Sequence, residues 1–396
     1  MAAPEVVIES LAAGGDGVAH LDDGRVVFVR ETCPGDRVSL RIDHQGKNFA
    51  RASVLELREA GSARVAPPCA VFGKCGGCSW QHIDYPAQIE AKTRILRDAI
   101  ERIGGFLPPD EVVVRASRGA YGYRTRARIM VSGTRVGFRS RGSNEICAID
   151  SCPILAPELD AELRRLVGTS SARRAESEFE LLAGEGKVVR AVEAPSAPEQ
   201  GWRRTPTLTV NALGERVRVS PGVFVQGNAY FFEDLVRAVL RSAAPEGSEA
   251  GLVIEFHSGA GFFTLPLSRR FDKVIAVEAN RRAVSDLEAN CVTAGIENIE
   301  VVASPAADAI KRLASHAPNC VVVDPPRTGL ERDVADGISK LGADRIVYLS
   351  CDPATLARDL ARMMDRGYRL ASLEGFDLFP QTPHVEALAV LVRAGG

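Results

Sequence analysis

From about residue 221 the chain alternates short apolar runs with amphipathic stretches, and no other feature restricts its fold as much. The runs 252–256, 273–277, 299–302, 320–323 and 345–349 have the length of strands. Stretches of helical periodicity at 281–294, 332–341 and 354–366 separate several of them. Parallel strands need a crossover between them, so this alternation implies an α/β unit with a mostly parallel sheet covered on both faces. Two last strand candidates, 368–373 and 385–392, lie close together and are read as an antiparallel edge. No internal repeat is visible.

The first sixty residues are different. Runs at 6–8, 25–29, 37–42 and near 50–57 are rich in β-formers, with turn chemistry at Gly14-Gly15-Asp16-Gly17 and Asp22-Asp23-Gly24 between them. Several short strands joined by glycine turns suggest a small OB-like barrel. Pro67-Pro68 then opens a cysteine-containing loop, and 85–103 reads as a helix with Ile89, Ile95, Leu96 and Ile100 at helical spacing. Residues 112–155 read as strands. Residues 156–220 hold a helix and then polar, Pro/Gly-rich connections that the pattern does not place. The expected units are 1–60, 61–220 and 221–396, and 396 residues suffice for two or three domains.

Charged residues make up 25% of the chain and the net charge is −2, so a nucleic-acid surface must be a local patch. Residues 112–144 supply one: eight arginines, no Asp or Glu, and Tyr121, Tyr123 and Phe138 interleaved. Arginines neutralise phosphates and aromatic rings stack on unpaired bases. A solvated strand face is the plainer explanation of such a run, but the missing counter-charge favours RNA. No apolar run reaches the roughly 18 residues a membrane span requires, and no secretory signal is visible. The nine cysteines therefore read as metal-binding or catalytic rather than as a disulfide scaffold.

Glu255-Phe256-His257-Ser258-Gly259-Ala260-Gly261-Phe262-Phe263 follows the first run of the α/β part, and Glu278 ends the second. Glycines let a backbone approach a ligand, and a strand-end carboxylate can hold ribose hydroxyls. Many glycine loops serve only a tight turn, but the pairing with Glu278 indicates a nucleotide-like cofactor. Thr264 breaks the full G-x-G-x-x-G, which tilts against a dinucleotide and toward S-adenosylmethionine. Glu255 either contacts a methionine amino group or simply ends a strand.

Asp324-Pro325-Pro326-Arg327 and Ser350-Cys351-Asp352-Pro353 end the fourth and fifth runs. Ligands of open α/β sheets bind at this rim. An isolated cysteine is most often a small buried hydrophobe, but Cys351 stands at a strand end beside a helix start, a position that predicts a lowered thiol pKa. Glu386, at the mouth of the last apolar run, is a solvated strand end or a base with a raised pKa. One chemistry uses all three: a thiolate adds to carbon 6 of uracil, carbon 5 accepts a methyl group, and a carboxylate removes its proton. The target base must leave its stack to reach the thiol.

With these motifs the chain resembles the RNA (uracil-5-)-methyltransferase family, nearest its 23S ribosomal RNA branch, and the likeness runs over almost the whole length. The resemblance implies a Rossmann-like class I methyltransferase domain, an N-terminal TRAM barrel that binds RNA, and a central α+β iron–sulfur domain. It makes Cys351 the nucleophile, Glu386 the base and Asp324 a cofactor-site residue. In Phe224-Val225-Gln226-Gly227-Asn228 it makes Gln226 a cofactor contact, beside His257, Gly259, Gly261, Phe262 and Glu278. His257 stands where the family usually has an aromatic residue, and Phe262 where it often has Asn. Cys69, Cys75 and Cys78 have the spacing C-x5-C-x2-C, and Cys152 lies downstream. Spacing alone suits an iron–sulfur cluster or zinc, and Cys147 competes as the fourth ligand. A radical S-adenosylmethionine site would need C-x3-C-x2-C, which is absent. The family pattern puts a [4Fe-4S] cluster on Cys69, Cys75, Cys78 and Cys152. The expected protein is a cytoplasmic monomer without an obligate protein partner. Transfer RNA is the alternative substrate, and an RNA-binding protein with a silent methyltransferase fold is the alternative class.

Overall fold

The computed structural model describes residues 3–109, 111–169, 177–193, 207–247 and 251–395. Much of the Pro/Gly-rich connection expected within 156–220 lies outside them.

Strands β1 (Glu5–Val7), β2 (Ser10–Leu11), β3 (Gly17–His20), β4 (Val26–Val29), β5 (Arg37–Gln45) and β6 (Phe49–Glu59) form one sheet in the order β1-β5-β6-β4-β3-β2. It curls around an apolar core that includes Val6, Ile8, Val27, Val29, Val38 and Leu40. The short strands β2 and β3 have no separate sequence signal, because glycine turns break them up.

Helix α1 (Tyr85–Ala99) starts where Asp84 accepts the Ala87 N–H at 2.8 Å and Pro86 takes a first-turn place that needs no donor. Its continuation, Ile100–Gly104, is a π-helical turn. Leu96, Ala99 and Ile100 pack into the core of the C-terminal sheet. So does β7 (Val113–Arg115), which runs parallel to a late strand and closes that sheet's edge. A second sheet, in the order β10-β9-β8-β11-β12, comprises β8 (Arg126–Ser132), β9 (Arg135–Arg139), β10 (Ile146–Ala148), β11 (Ser177–Gly184) and β12 (Lys187–Glu193). Helix α2 (Pro157–Thr169) buries Leu159, Leu163 and Leu166, part of the same core as β8 and β11. The hairpin β13 (Leu208–Ala212) and β14 (Glu215–Val219) leads to α3 (Phe232–Ala243).

The remaining chain alternates as expected: β15 (Leu252–Phe256), α4 (Thr264–Ser268), β16 (Lys273–Glu278), α5 (Arg281–Ala294), β17 (Ile299–Ala303), α6 (Ala306–Leu313), β18 (Cys320–Val323), α7 (Arg332–Lys340), β19 (Arg345–Ser350), α8 (Pro353–Met364), β20 (Tyr368–Phe376) and β21 (Glu386–Arg393). With β7, these strands make an eight-stranded sheet in the order β17-β16-β15-β18-β19-β21-β20-β7. Its central strands are buried on both faces, which is why they read as unbroken apolar runs. The antiparallel pair β20–β21 is not an edge. β21 inserts beside β19, and β7, a short strand from far earlier in the chain, takes the outside position. No helix among the described residues is long and apolar enough to cross a membrane.

Candidate active site

Sheet register brings Asp324, Cys351 and Glu386, the three candidate residues, to one rim. In β18 and β19, which are parallel, Val323 faces Tyr348; in β19 and β21, which are antiparallel, Ser350 faces Ala387. Asp324 follows β18, Cys351 follows β19, and Glu386 begins β21, so all three stand at adjacent strand ends. Burial pushes the Cys351 thiol up to about 11, and the charges of Glu386 and Asp324 add to that, while Arg327 pulls it down. Burial likewise raises the Glu386 carboxyl well above its usual range, with Asp324 adding and Arg327 opposing. Asp324 is pushed up to about 7 by burial.

The expected lowering of the thiol pKa is therefore corrected. Asp352 caps α8, its carboxylate accepting from Ala354 at 3.0 Å and from Thr355 at 2.9 Å. The helix's first amides are spent on that cap, and desolvation together with two neighbouring carboxylates outweighs what remains of the dipole.

Gln226, His257, Gly259, Phe262 and Asp324 line a narrow cleft of about 30 Å³, together with Phe224, Phe263 and others. His257 takes the left-handed backbone, φ 62°, which histidine tolerates better than most residues, and burial lowers its pKa. Gly261 does not line the cleft. A side chain there would meet Leu265 and Leu287 at 2.6 Å, so this glycine serves close packing of the loop against α4 and α5. Glu278, half-buried at the end of β16 and near His257, accepts from the N–H of Gly259 at 2.9 Å and of Asn280 at 2.7 Å. Glu255 is almost fully buried, its Oε2 has no hydrogen-bond partner among the described residues, and burial pushes it up to about 8.

Beside the cleft runs a groove of about 870 Å³, with Arg124, Arg126, Arg128, Arg327, Phe224 and His384 among its walls. Phe224, 63% exposed, belongs to both walls, a position that the sequence motif did not convey. The arginine-rich stretch is less bare than its sequence suggests. The fold supplies counter-charges: Glu180 pairs Arg126, Glu178 pairs Arg128, Asp234 pairs Arg118, Glu374 pairs Arg115 and Glu31 pairs Arg141. Antiparallel pairing of β8 with β11 puts two of these carboxylates opposite the arginine strand, a long-range fact that no local window contains. Tyr123 is buried and donates to the Pro380 carbonyl at 2.9 Å, so it is not a free stacking surface. Phe138 lines the cysteine cavity instead of the groove.

That cavity, about 450 Å³, is lined by Cys69, Cys75, Cys78 and Cys152 together with Arg124, Arg128 and Arg141. Cys147 does not line it and belongs to the apolar core behind. Burial raises the thiols of Cys75, Cys78 and Cys152, to about 11 for Cys78 and about 12 for Cys152. Among the described residues, no group of three or more His, Cys, Asp or Glu is arranged to hold a metal ion.

The fold is a methyltransferase fold. It matches, with a TM-score of 0.76 over 98% of this chain and 99% of the other, a tRNA (uracil-54, C5)-methyltransferase from Pyrococcus abyssi solved in complex with S-adenosyl-L-homocysteine, at 24% identity. The profile described as tRNA (Uracil-5-)-methyltransferase matches residues 205–394, and that of the TRAM domain matches 4–55. A 23S rRNA (uracil(1939)-C(5))-methyltransferase from Chromohalobacter salexigens is 36% identical, over 98% of this chain and 88% of its own length. An RNA methyltransferase from Gloeobacter violaceus is 33% identical, over 98% and 96%. The chain belongs to the RNA (uracil-5-)-methyltransferase family and is an enzyme of that class.

Proposed function

We propose that this enzyme methylates carbon 5 of a uridine in 23S ribosomal RNA through a transient bond between Cys351 and carbon 6 of the base. The observation that carries the proposal is the placing of Cys351 between Asp324 and Glu386 at one strand rim. The choice of ribosomal RNA is supported by relatives so named at 33–36% identity over nearly the whole chain. A transfer RNA substrate is the second reading, favoured by the Pyrococcus structure.

S-adenosylmethionine, when bound, supplies the methyl group as an electrophile. Gln226, His257, Gly259, Phe262, Glu278 and Asp324 are the residues proposed to hold it, with Gly261 packing the loop from behind. The buried, unpartnered Oε2 of Glu255 suits an ammonium group, which supports a cofactor with a methionine moiety. Phe224 is the exposed side chain on the cleft wall, and the cleft's small free volume calls for it to move on binding.

In the proposed reaction the Cys351 thiolate bonds to carbon 6, which moves the ring's electrons toward carbon 5 and makes that carbon nucleophilic. After methylation, Glu386 takes the proton from carbon 5. The sulfur–carbon bond then breaks, which restores the ring and frees Cys351. The arginines of the groove hold the RNA backbone, and residues 1–60 act as the RNA-binding barrel ahead of a central unit, 61–220, and a methyltransferase unit, 221–396. The RNA substrate puts the reaction in the cytoplasm.

We further propose a [4Fe-4S] cluster on Cys69, Cys75, Cys78 and Cys152. What supports this is that all four of these cysteines line one cavity while Cys147 does not. Its role is structural or RNA-positioning, since methyl transfer is not a redox step.

Cys351→Ala is expected to abolish methylation. Glu386→Gln is expected to leave a covalent protein–RNA species visible on a denaturing gel, because the adduct forms but the carbon 5 proton stays. Full activity of the alanine variant would remove the nucleophile from the proposal.

A further inference from the structure

Residues 377–385 join β20 to β21 without regular structure, yet the segment is pinned along its length. Asp377 is fully buried and pairs with the equally buried Lys92 of α1, and the Tyr85 hydroxyl donates to its other oxygen at 2.8 Å. Lys92 also donates to the Phe379 carbonyl at 3.0 Å, Asn228 to that of Leu378 at 3.2 Å and Tyr123 to that of Pro380 at 2.9 Å.

Gln381 is the unusual member. Its φ is 68°, in the region that favours glycine, and it is 2% exposed. Two amides hold each other there. The Gln381 N–H donates to Gln88 Oε1, and Gln88 Nε2 donates to Gln381 Oε1, both at 3.0 Å. The Gln381 carbonyl accepts from the N–H groups of Ser79 and Trp80, both at 3.0 Å, directly after Cys78. A glutamine in a glycine conformation persists only where its surroundings over-determine it, and such residues cluster at working sites. Beyond this reversal the chain lays Thr382 and His384 on the groove wall and begins β21 with Glu386.

We propose that Gln381, locked by Gln88, is a positioning residue for Glu386. This rests on the reading of Glu386 as the base. The lock fixes the sharp turn that delivers the carboxylate beside Cys351, and it touches neither the thiol nor the cleft. Loosening it slows removal of the carbon 5 proton and leaves the earlier sulfur–carbon bond formation intact.

The test uses an RNA transcript that the full-length protein methylates, with turnover, denaturing-gel adduct and melting temperature measured together. Gln381→Asn, which keeps a left-handed preference but is too short to reach Gln88, should turn over at least tenfold slower and accumulate adduct. Gln88→Met should do the same without altering the turn itself. The double variant should be no more than about twofold worse than the worse single one. Adduct in Glu386→Gln but in neither lock variant overturns the positioning role and leaves the base standing. No adduct in Glu386→Gln overturns the base and the positioning role with it.

Discussion

A thiol pushed up to about 11 is a poor nucleophile in neutral solution, with only about one part in ten thousand ionised at pH 7. Burial holds it there, with the charges of Glu386 and Asp324 adding, and Arg327 is the charge that works against them. A raised pKa keeps the proton on, so the reactive fraction grows as pH rises. Alkylation of Cys351 by iodoacetamide in the cofactor-free enzyme, followed on its peptide by mass spectrometry, is expected to accelerate about tenfold per pH unit from 7 to 10. Arg327→Leu should make it slower at every pH in that range. A plateau below pH 9 would show that the thiol is already ionised and that the carboxylates do not control it. These candidates stood out in the sequence because each flanks an apolar run, Asp324 and Cys351 just after one and Glu386 just before one. Their mutual electrostatics did not, because Asp352 looks like a neighbour of the nucleophile and acts as a cap that consumes the helix amides.

The elements differ in how openly they announce themselves. Strands buried on both faces appear as unbroken apolar runs, so β15 to β19 could be bounded almost to the residue. Strand β7 could not, since three residues beside an arginine-rich stretch carry no period and owe their place to β20, more than 250 positions later. The 377–385 segment is visible as the link between the last two strands, but its anchoring is hidden for the same reason: Tyr85, Gln88, Lys92 and Tyr123 supply its partners. The cysteine loop lies between these cases, its cysteines plain in the sequence and the cavity they line completed by Cys152, which comes after the β8–β10 strands. If a [4Fe-4S] cluster fills that cavity, protein purified without oxygen is expected to be brown, with broad visible absorbance and about four irons per chain. Cys152→Ala should lose the colour, whereas Cys147→Ala, altered only in the apolar core, should keep it. A colourless preparation with one zinc per chain would sink the assignment.

The N-terminal barrel is docked rather than tethered. Asp36, fully buried, accepts from the N–H groups of Cys33 and Gly61 and pairs with Arg64, which fixes the barrel to the chain that leaves it. Elsewhere on the barrel the Trp80 indole donates to the Gly15 carbonyl at 2.9 Å. Gly15 has φ 92°, and a side chain on it would stand 3.2 Å from Pro383 and 3.4 Å from Ser79 and Trp80. One glycine of the barrel thus abuts both the segment after Cys78 and the segment that ends at Glu386. A bulky residue at this junction must move either the barrel or the catalytic segment, whereas Gly14, next to it, faces nothing within 4 Å. Gly15→Val is therefore expected to raise the KM for RNA and also to lower kcat several-fold, with S-adenosylmethionine affinity unchanged, while Gly14→Val leaves both constants near wild type. If Gly15→Val changes KM alone, the barrel serves only to capture RNA and its contact with Pro383 carries no influence on the chemistry. If both constants move together, capture and proton removal share a joint of a few side chains, and the barrel is part of the active site's support.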